Sequence, residues 1–398
     1  MNKILPFKAV RAAEDKVGLF VTRNYQSYDK RTFQDKISNN PYSFLNIISK
    51  SSNTNNFSEI RGKFEKFIDD QILIKDKNES FYLYQISREE KTSIGIISLF
   101  STSNLKNGIL KKHENTIIKK ENLFQRYLLE TKINAEPVLI FHKENSEINK
   151  IIELYKKKNH TYNFTTTDRV NHKLWKISEK SLIDEIIINY NQINEFYIAD
   201  GHHRVSSSNL ISKKLKKETF FLSFLVSEKN IFCGSFIRYI DNIKYAHADF
   251  LEEIKKKFEL KDIYKNSKVN SIKSKSKSES DFITIFFNYT YYDLLLKKEY
   301  VNDAHFTDTQ IIDYHIFNQI LKIKDTKQTE RVKYIESSKI QFFLNQNPLN
   351  KNSLLILTKT IDSKQLMQIA DNNLILPPKS TYIEPKIRSG ITIYDFKS

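Results

Sequence analysis

The sequence has one cysteine, no long apolar run and no secretory leader pattern. Cys233 alone cannot form an internal disulfide or a multi-cysteine zinc site. Because no stretch of eighteen apolar residues occurs, no membrane-spanning helix is predicted. The opening "MNKILPFKAVRAAEDKVG" meets charged residues too early for a signal peptide. These absences predict a cytoplasmic protein.

Several common catalytic motifs are also missing. The sequence contains no GxSxG, HExxH or GxGxxG, so serine hydrolase, zincin and Rossmann interpretations lack support. It also lacks GxxxxGK[ST], the loop that cradles phosphates in P-loop proteins. Any phosphate chemistry must therefore use another arrangement.

The chain is strongly basic, but its charge is spread out. The net charge is +17, and only 11 of the 64 basic residues are arginine. Lysines occur along the whole chain, and no RNA-recognition signature or arginine-rich stripe is present. We therefore interpret the charge as a solvated lysine surface, and nucleic acid is not an expected partner. The charge pattern does not indicate an oligomeric state.

The order of predicted strands and helices favours an α+β fold. The 398 residues, 39% of them hydrophobic, can fill two or three lobes. Strand and helix patterns mix without strict alternation, and "NNPYSFLNIISK" is interpreted as a turn and strand. We expect a catalytic core over residues 1–264, a Lys/Ser-rich linker or loop over 265–281, and an α+β lobe over 282–398.

The most informative segment is "ADGHHR", residues 199–204. A buried strand is predicted before it and a helix after it, so Gly201 marks a turn at a helix N-terminus. Free N–H groups there, with Arg204 and His202 or His203, would form an anion site. Asp200 could orient a histidine or bind Mg²⁺. Asp200 with one histidine could also hold another metal, so the segment alone leaves anion and metal sites open.

Two further segments could contribute to chemistry. "KKHENT" places Glu114 beside His113 and near Thr116 at a predicted helix start, where the carboxylate could act as a general base. The terminal loop "PPKSTYIEPK" supplies one cation and two hydroxyls, followed by a second lysine. These residues suit phosphate or carboxylate binding: Lys379, Ser380, Thr381 and Lys386.

Other polar groups are weaker candidates. "PFKAVR" offers Lys8 and Arg11, with structural and functional roles equally supported. "FTTTDRVNHKLW" holds Asp168 and His172, and we favour a structural role for it. The remaining histidines singled out by the pattern, His305 and His315, are interpreted as ordinary core or surface residues.

The order of these motifs resembles the bacterial family known as domain of unknown function 1015. The resemblance is carried by "PFKAVR", "NPYSFL", "KKHENT", "NAEPVL", "YIADGHHR" and "PPKSTYIEPKIRSG". It covers nearly the whole chain, and the hexapeptide and terminal loop are its most specific parts. The Lys-rich insert at 265–281 departs from the pattern and is interpreted as decoration.

The family in turn is similar to free serine kinases, which implies a ParB/sulfiredoxin-like mixed-sheet core. It implies a kinase that uses ATP or ADP with Mg²⁺ to phosphorylate the hydroxyl of free L-serine or a similar metabolite. Phosphoryl transfer depends mostly on positioning and charge neutralisation. The resemblance implies these catalytic residues, with Glu114 as the base: Glu114, His113, Asp200, His202 and His203. Asp200 is also the expected Mg²⁺ ligand. Phosphate binding is expected from Gly201, His202, His203, Arg204, Lys379, Ser380 and Thr381, and substrate binding from Arg11, Thr116 and Lys386.

Two alternatives belong to other functional classes. A regulatory nucleotide-binding, ParB-like module that contacts DNA would explain the positive charge. A metal-dependent hydrolase would use Asp200, His113, His202 and His203 as ligands.

Overall fold

The computed structural model describes residues 2–49, 57–265, 282–301, 307–324 and 329–397. The predicted linker lies outside this range apart from Lys265, and so does His305. Within the described residues the chain divides into two compact units. The first comprises residues 1–231, 370–373 and 385–398, and the second comprises residues 232–369 and 374–384.

The described strands, in chain order, are β1 Ile4–Leu5, β2 Val10–Ala12, β3 Leu73–Lys75, β4 Phe81–Arg88, β5 Lys91–Ser101, β6 Leu110–Lys111, β7 Ile133–Asn134, β8 Val138–His142, β9 Tyr162–Thr165, β10 Asn171–Ile177, β11 Phe196–Asp200, β12 Phe220–Ser227, β13 Phe232–Gly234, β14 Phe236–Ile240, β15 Phe258–Lys265, β16 Ile283–Phe287, β17 Thr290–Leu296, β18 Lys333–Glu336, β19 Leu354–Leu357, β20 Tyr382–Glu384 and β21 Tyr394–Asp395.

The described α-helices are α1 Val17–Phe20, α2 Lys30–Asn39, α3 Phe44–Ile48, α4 Ser58–Asp69, α5 Ser103–Lys106, α6 Ile118–Thr131, α7 Ser146–Lys156, α8 Lys180–Gln192, α9 His202–Leu215, α10 His247–Lys257, α11 Asp308–Ile311, α12 Ile340–Gln346 and α13 Ser363–Asp371. A π-helix covers Ile312–Ile320, and 3₁₀-helices cover Tyr25–Ser27, Glu228–Asn230, Lys298–Tyr300 and Ser337–Lys339.

The first unit is built on a mixed sheet in the order β6-β11-β8-β12-β5-β4-β10-β9, with β1 paired to β5. β12 runs parallel to β8 and β6 parallel to β11, while β11 and β8 are antiparallel. The central strands are apolar on both faces, as in β12 and β5, because helices such as α7 and α8 pack on them. Small two-stranded sheets, β2-β3 and β7-β21, complete this unit.

The second unit contains a sheet in the order β15-β17-β16-β19-β14-β18 and the small pair β13-β20. Its apolar core includes Phe250, Ile285 and Ile316. Because β14 pairs with β18 and β19, the second unit begins at residue 232, well before residue 282. The two units therefore begin and end elsewhere than the expected domains 1–264 and 282–398, and that functional division stays a prediction.

The α+β class and most long elements are confirmed, including the strand before and the helix after "ADGHHR". The strand expected in "NNPYSFLNIISK" is wrong: this segment forms α3, because the Ser43 hydroxyl accepts a hydrogen bond from the Leu45 N–H and caps a helix. After residue 306 the chain starts a helix with a capping box at Thr307 and continues it as a π-helix. None of the helices in the described ranges combines the length and apolar character that a membrane crossing requires.

Candidate functional site

The turn from β11 into α9 forms an open helix N-terminus. β11 is buried through Ala199, and Gly201 then adopts a φ of 104°, in the left-handed region that favours glycine. No side chain caps α9, whose first N–H groups have no partner within the helix by geometry. A Cβ at Gly201 would lie 3.0–3.1 Å from the Arg204 guanidinium. The turn therefore presents backbone donors and a partial positive charge, as an anion site requires.

Asp200 lies beside this terminus with two cations near it. Its Oδ2 is 3.6 Å from Arg204 Nη2 and 3.8 Å from Lys386 Nζ. Burial opposes ionisation, but Lys386 and Arg204 outweigh it and lower the pKa of Asp200. The Asp200 and Lys386 side chains are both about half-exposed, at 47% and 46%. An ionised carboxylate and an ammonium thus face solvent together at the helix start.

Arg204 is engaged mainly with the backbone. Its Nη1 donates to the carbonyl oxygens of Pro137, at 2.6 Å, and Glu136, at 3.1 Å. These bonds tie α9 to the segment that enters β8. Only Nε and Nη2 are left to face Asp200 and Gly201, so the predicted grip of Arg204 on a phosphate through two hydrogen bonds stays a prediction.

The segment 113–117 meets α9 through histidines. The rings of His113 and His202 lie edge to face with centroids 4.7 Å apart, and both are buried. The Ile117 N–H donates to His203 Nδ1 at 3.3 Å. The structure therefore brings the "HENT" and "ADGHHR" segments together within the first unit.

These histidines are neutral near pH 7. Burial lowers the pKa of His113 to about 4. Burial and the neighbouring His113 lower the pKa of His202 well below its usual value. Burial and Lys120 also lower the pKa of half-buried His203. His202 Nε2 is buried without a hydrogen-bond partner in the described part of the chain. These neutral imidazoles can therefore form hydrogen bonds or exchange a proton, but they add no positive charge to the site.

Glu114 and Thr116 follow His113. Glu114 is half-buried, and Thr116 donates a hydrogen bond to Glu121 and lies 3.4 Å from the Ser206 hydroxyl of α9. Over the described ranges, no group of three or more histidine, cysteine, aspartate or glutamate residues is arranged to hold a metal ion. A magnesium ion that shares its coordination with substrate phosphates needs only one or two carboxylates, which Asp200 could supply.

Glu136 is a site residue that the sequence interpretation missed. Its carboxylate accepts hydrogen bonds from Asn24 Nδ2 at 2.9 Å and Ser389 Oγ at 3.1 Å. Burial raises the pKa of Glu136, Asp200 adds to the rise, and Arg204 opposes it. The available sequence signal was a Glu-Pro pair just before a buried strand, and it does not distinguish a site residue from a loop residue.

Arg11 belongs to a separate internal network of the first unit. Its guanidinium donates to Asp76 at 3.1–3.2 Å and to the Tyr162 hydroxyl at 2.9 Å. Asp76 also accepts from Tyr82 and Lys176. The structure thus gives Arg11 protein partners, and its predicted role in substrate binding stays a prediction.

The first half of the terminal loop lies in the second unit. Lys379, at a φ of 62°, places its Nζ 4.7 Å from the centre of the Phe236 ring, and its carbonyl lies 3.5 Å from Arg238 Nη2. The buried Ser380 hydroxyl donates to the Pro377 carbonyl at 2.7 Å, and Thr381 is half-buried. Of the loop residues predicted to bind ligand, only Lys386 belongs to the first unit.

Comparison with protein families identifies the chain. Residues 4–326 match the family described as "Protein of unknown function (DUF1015)". Since this match covers well over half of the sequence, the chain belongs to that family. No curated protein matches the sequence at a significant level.

Similar solved structures share little sequence with the chain. A C-terminally truncated SbnI from Staphylococcus aureus has 11% identity and a TM-score of 0.40, covering 74% of this chain and 87% of that one. A free serine kinase mutant in complex with ADP has 11% identity and a TM-score of 0.38, covering 76% and 94%. A conserved hypothetical protein from Pyrococcus furiosus has 10% identity and a TM-score of 0.37, covering 74% and 95%.

Proposed function

We propose that this family member is a small-molecule kinase that transfers a phosphoryl group from ATP or ADP to the hydroxyl of free L-serine or a similar metabolite. The observation that carries the proposal is the uncapped N-terminus of α9, with Asp200 and Lys386 half-exposed beside it. Backbone donors, a lysine and a carboxylate able to hold Mg²⁺ are the groups that a transferring phosphate needs. The proposal includes a ParB/sulfiredoxin-like core and a cytoplasmic location.

The residues of the turn would divide the work as follows. The N–H groups of α9 and the Lys386 ammonium would hold phosphate oxygens, and Asp200 would hold the magnesium ion. Magnesium, when bound, would neutralise charge on the phosphates. The neutral pair His113 and His202 would shape the wall of the site without repelling or attracting the anion by charge.

Two carboxyl groups are candidates for the base that takes the serine proton. Glu114 is next to His113, and Glu136 is held by Asn24 and Ser389. A base works best when its pKa lies near the working pH, and Glu136 has a raised pKa. Separate Glu114→Gln and Glu136→Gln variants distinguish them: the base variant should lose at least about 100-fold in kcat while still binding nucleotide.

The direct test is incubation with Mg²⁺, L-serine and either ATP or ADP, followed by detection of O-phosphoserine. Lys386→Met should weaken nucleotide binding about 10-fold, because it removes one partly exposed cation from the phosphates. Lys397→Met is a matched control, since Lys397 is an exposed lysine that pairs with Glu65 instead. Failure to phosphorylate serine or any common hydroxy metabolite would reject the proposal.

A metal-dependent hydrolase finds no support in the described residues, because they contain no three-ligand cluster. The DNA-contacting alternative stays a prediction. Binding to duplex DNA that falls steeply with salt would support it.

A further inference from the structure

A polar cavity lies in the first unit. It has a volume of about 420 Å³ and is bordered by α1, α2 and the turn at Thr166–Asp168. We call it the Arg388 cavity. Its lining includes these polar and charged residues: Thr22, Arg23, Tyr28, Lys36, Asp168 and Arg388. Its size suits a small metabolite.

The cavity has more positive than negative charge at its wall. Three guanidinium groups surround one carboxylate, Asp168: Arg388 Nη2 at 2.6 Å, Arg88 Nη2 at 3.4 Å and Arg23 Nε at 3.8 Å. Of the residues that line the cavity, Arg23, Lys36 and Arg388 are positive and Asp35 and Asp168 are negative. The wall therefore carries one positive charge in excess, which attracts an anion.

Arg388 is preorganised. Its side chain is only 6% exposed, and Nη2 also donates to the Thr166 hydroxyl at 2.9 Å. Nε lies 3.3 Å from His172 Nε2. Burial and Arg388 lower the pKa of His172 to about 3, so this ring stays neutral and accepts the bond. The guanidinium is therefore held in one orientation at the cavity wall.

Thr22 adds an independent observation. This residue is buried, and its hydroxyl has no hydrogen-bond partner in the described part of the chain. A buried hydroxyl without a partner costs free energy, about 1–3 kcal/mol, unless a ligand or water bonds to it. Thr22 lines the cavity, so an anionic oxygen that reached its hydroxyl would supply the missing hydrogen-bond partner.

The cavity wall leads to Glu136. Arg23 precedes Asn24 and Arg388 precedes Ser389, and both Asn24 and Ser389 donate to the Glu136 carboxylate. The backbones of Thr22 and Ser389 are joined by two hydrogen bonds, of 2.8 and 3.2 Å. The Glu136 backbone carbonyl in turn accepts a hydrogen bond from Arg204 Nη1 at 3.1 Å. Glu136 thus connects the two regions, through its side chain to the cavity wall and through its backbone to Arg204.

We propose that the Arg388 cavity binds the carboxylate of a small hydroxy or amino acid, with Arg388, Arg23 and Thr22 as its partners. That this ligand is the phosphoryl acceptor rests on the proposed function. Under that function, Glu136, which Asn24 and Ser389 connect to the cavity wall, would be the base for the ligand's hydroxyl. The same cluster could instead hold a phosphate of the nucleotide, because both groups present anionic oxygens to guanidinium donors.

Calorimetric titration of the full chain separates these sources. The probes are L-serine, D-glycerate, L-serinamide, inorganic phosphate and ADP. L-Serine or D-glycerate should bind, and L-serinamide, which lacks the carboxylate, should bind at least about 10-fold more weakly. The double variant Arg23→Gln/Lys36→Gln should weaken L-serine or D-glycerate binding about 10-fold or more and leave ADP binding unchanged.

The double variant replaces side chains that are not fully buried, so a loss of binding can be separated from a failure to fold. Arg23 is half-exposed, so its replacement should fold even if the buried Arg388→Gln does not. Arg126→Gln, an exposed arginine on α6, is the matched control and should bind like the parent. The proposal is overturned if no carboxylate probe binds, if L-serinamide binds as well as L-serine, or if the double variant loses ADP or phosphate binding instead. If carboxylate binding depends on Arg23 but neither serine nor any common hydroxy metabolite is phosphorylated, the cavity proposal stands and the kinase proposal fails.

Discussion

The turn at Gly201 and the Arg388 cavity both place arginine beside aspartate, yet they use it differently. At the turn, Arg204 bonds to two backbone carbonyls, and the charge available to a ligand comes from Lys386 and the helix terminus. At the cavity, three arginines far apart in sequence share Asp168. A short segment rich in charged residues is therefore not always the place where those charges can reach a ligand.

Lowering the pH should destabilise the first unit through the buried histidines of both regions, and more through those of the turn. The unfolded chain protonates its histidines near pH 6.5, whereas burial keeps the pKa of His113 at about 4 and that of His172 at about 3. Stability should therefore fall as the pH drops from about 6.5 toward 4, by about 1.4 kcal/mol per pH unit for each buried histidine. Urea unfolding at several pH values, followed by fluorescence of buried Trp175, measures this slope for the first unit.

Variants assign the slope to each region. Replacing the turn pair in His113→Gln/His202→Gln should reduce it more than His172→Gln does, because it removes two buried histidines instead of one. His160→Gln, at an exposed histidine, should leave it unchanged. Equal effects of the turn pair and the control would remove the distinction.

Arg204→Ala tests the structural role of the motif arginine. It removes charged donors from the carbonyls of Glu136 and Pro137, so the free energy of unfolding should fall by about 3 kcal/mol. Chemical denaturation measures the change. Arg126→Ala, which removes only an exposed pair with Glu130, should cost less than about 1 kcal/mol. A loss at Arg204 no larger than that control would mean that the guanidinium is free for ligand.

Gly201→Ala should destabilise the first unit by about 1–3 kcal/mol, because the residue has a positive φ and its new Cβ would press on Arg204. Gly62→Ala is the control: Gly62 lies inside α4 and an added Cβ meets nothing within 4 Å. This second variant should be about 0.5–1 kcal/mol more stable than the parent. Thermal or urea unfolding measures whether each variant is less or more stable than the parent. An unchanged stability of Gly201→Ala would contradict the strain argument.

Lys386→Met should have the smallest effect on folding, below about 1 kcal/mol, because a half-exposed ion pair contributes little to stability. The same substitution should weaken nucleotide binding about 10-fold. The two measurements together separate the proposed phosphate-binding role of Lys386 from the structural role of Arg204. A large loss of stability would instead make Lys386 part of the framework.

Local patterns in the sequence determined much of the fold. The buried run before Asp200, the Asp-Gly turn and the amphipathic helices were predictable because strand burial, turn chemistry and helical spacing act over a few residues. The wrong prediction at Phe44–Ile48 also has a local origin, since the cap at Ser43 starts a helix where a turn and strand were expected.

The sequence by itself thus determined the α+β class, the family motifs and the position of a helix terminus suited to anions. Only the tertiary structure decided which charges remain available there. It joined Arg204 to the backbone, buried His113 against His202, and gathered Arg23, Arg88 and Arg388 around Asp168. Such choices depend on desolvation and on pairs distant in sequence, and neither of these is written in the local pattern.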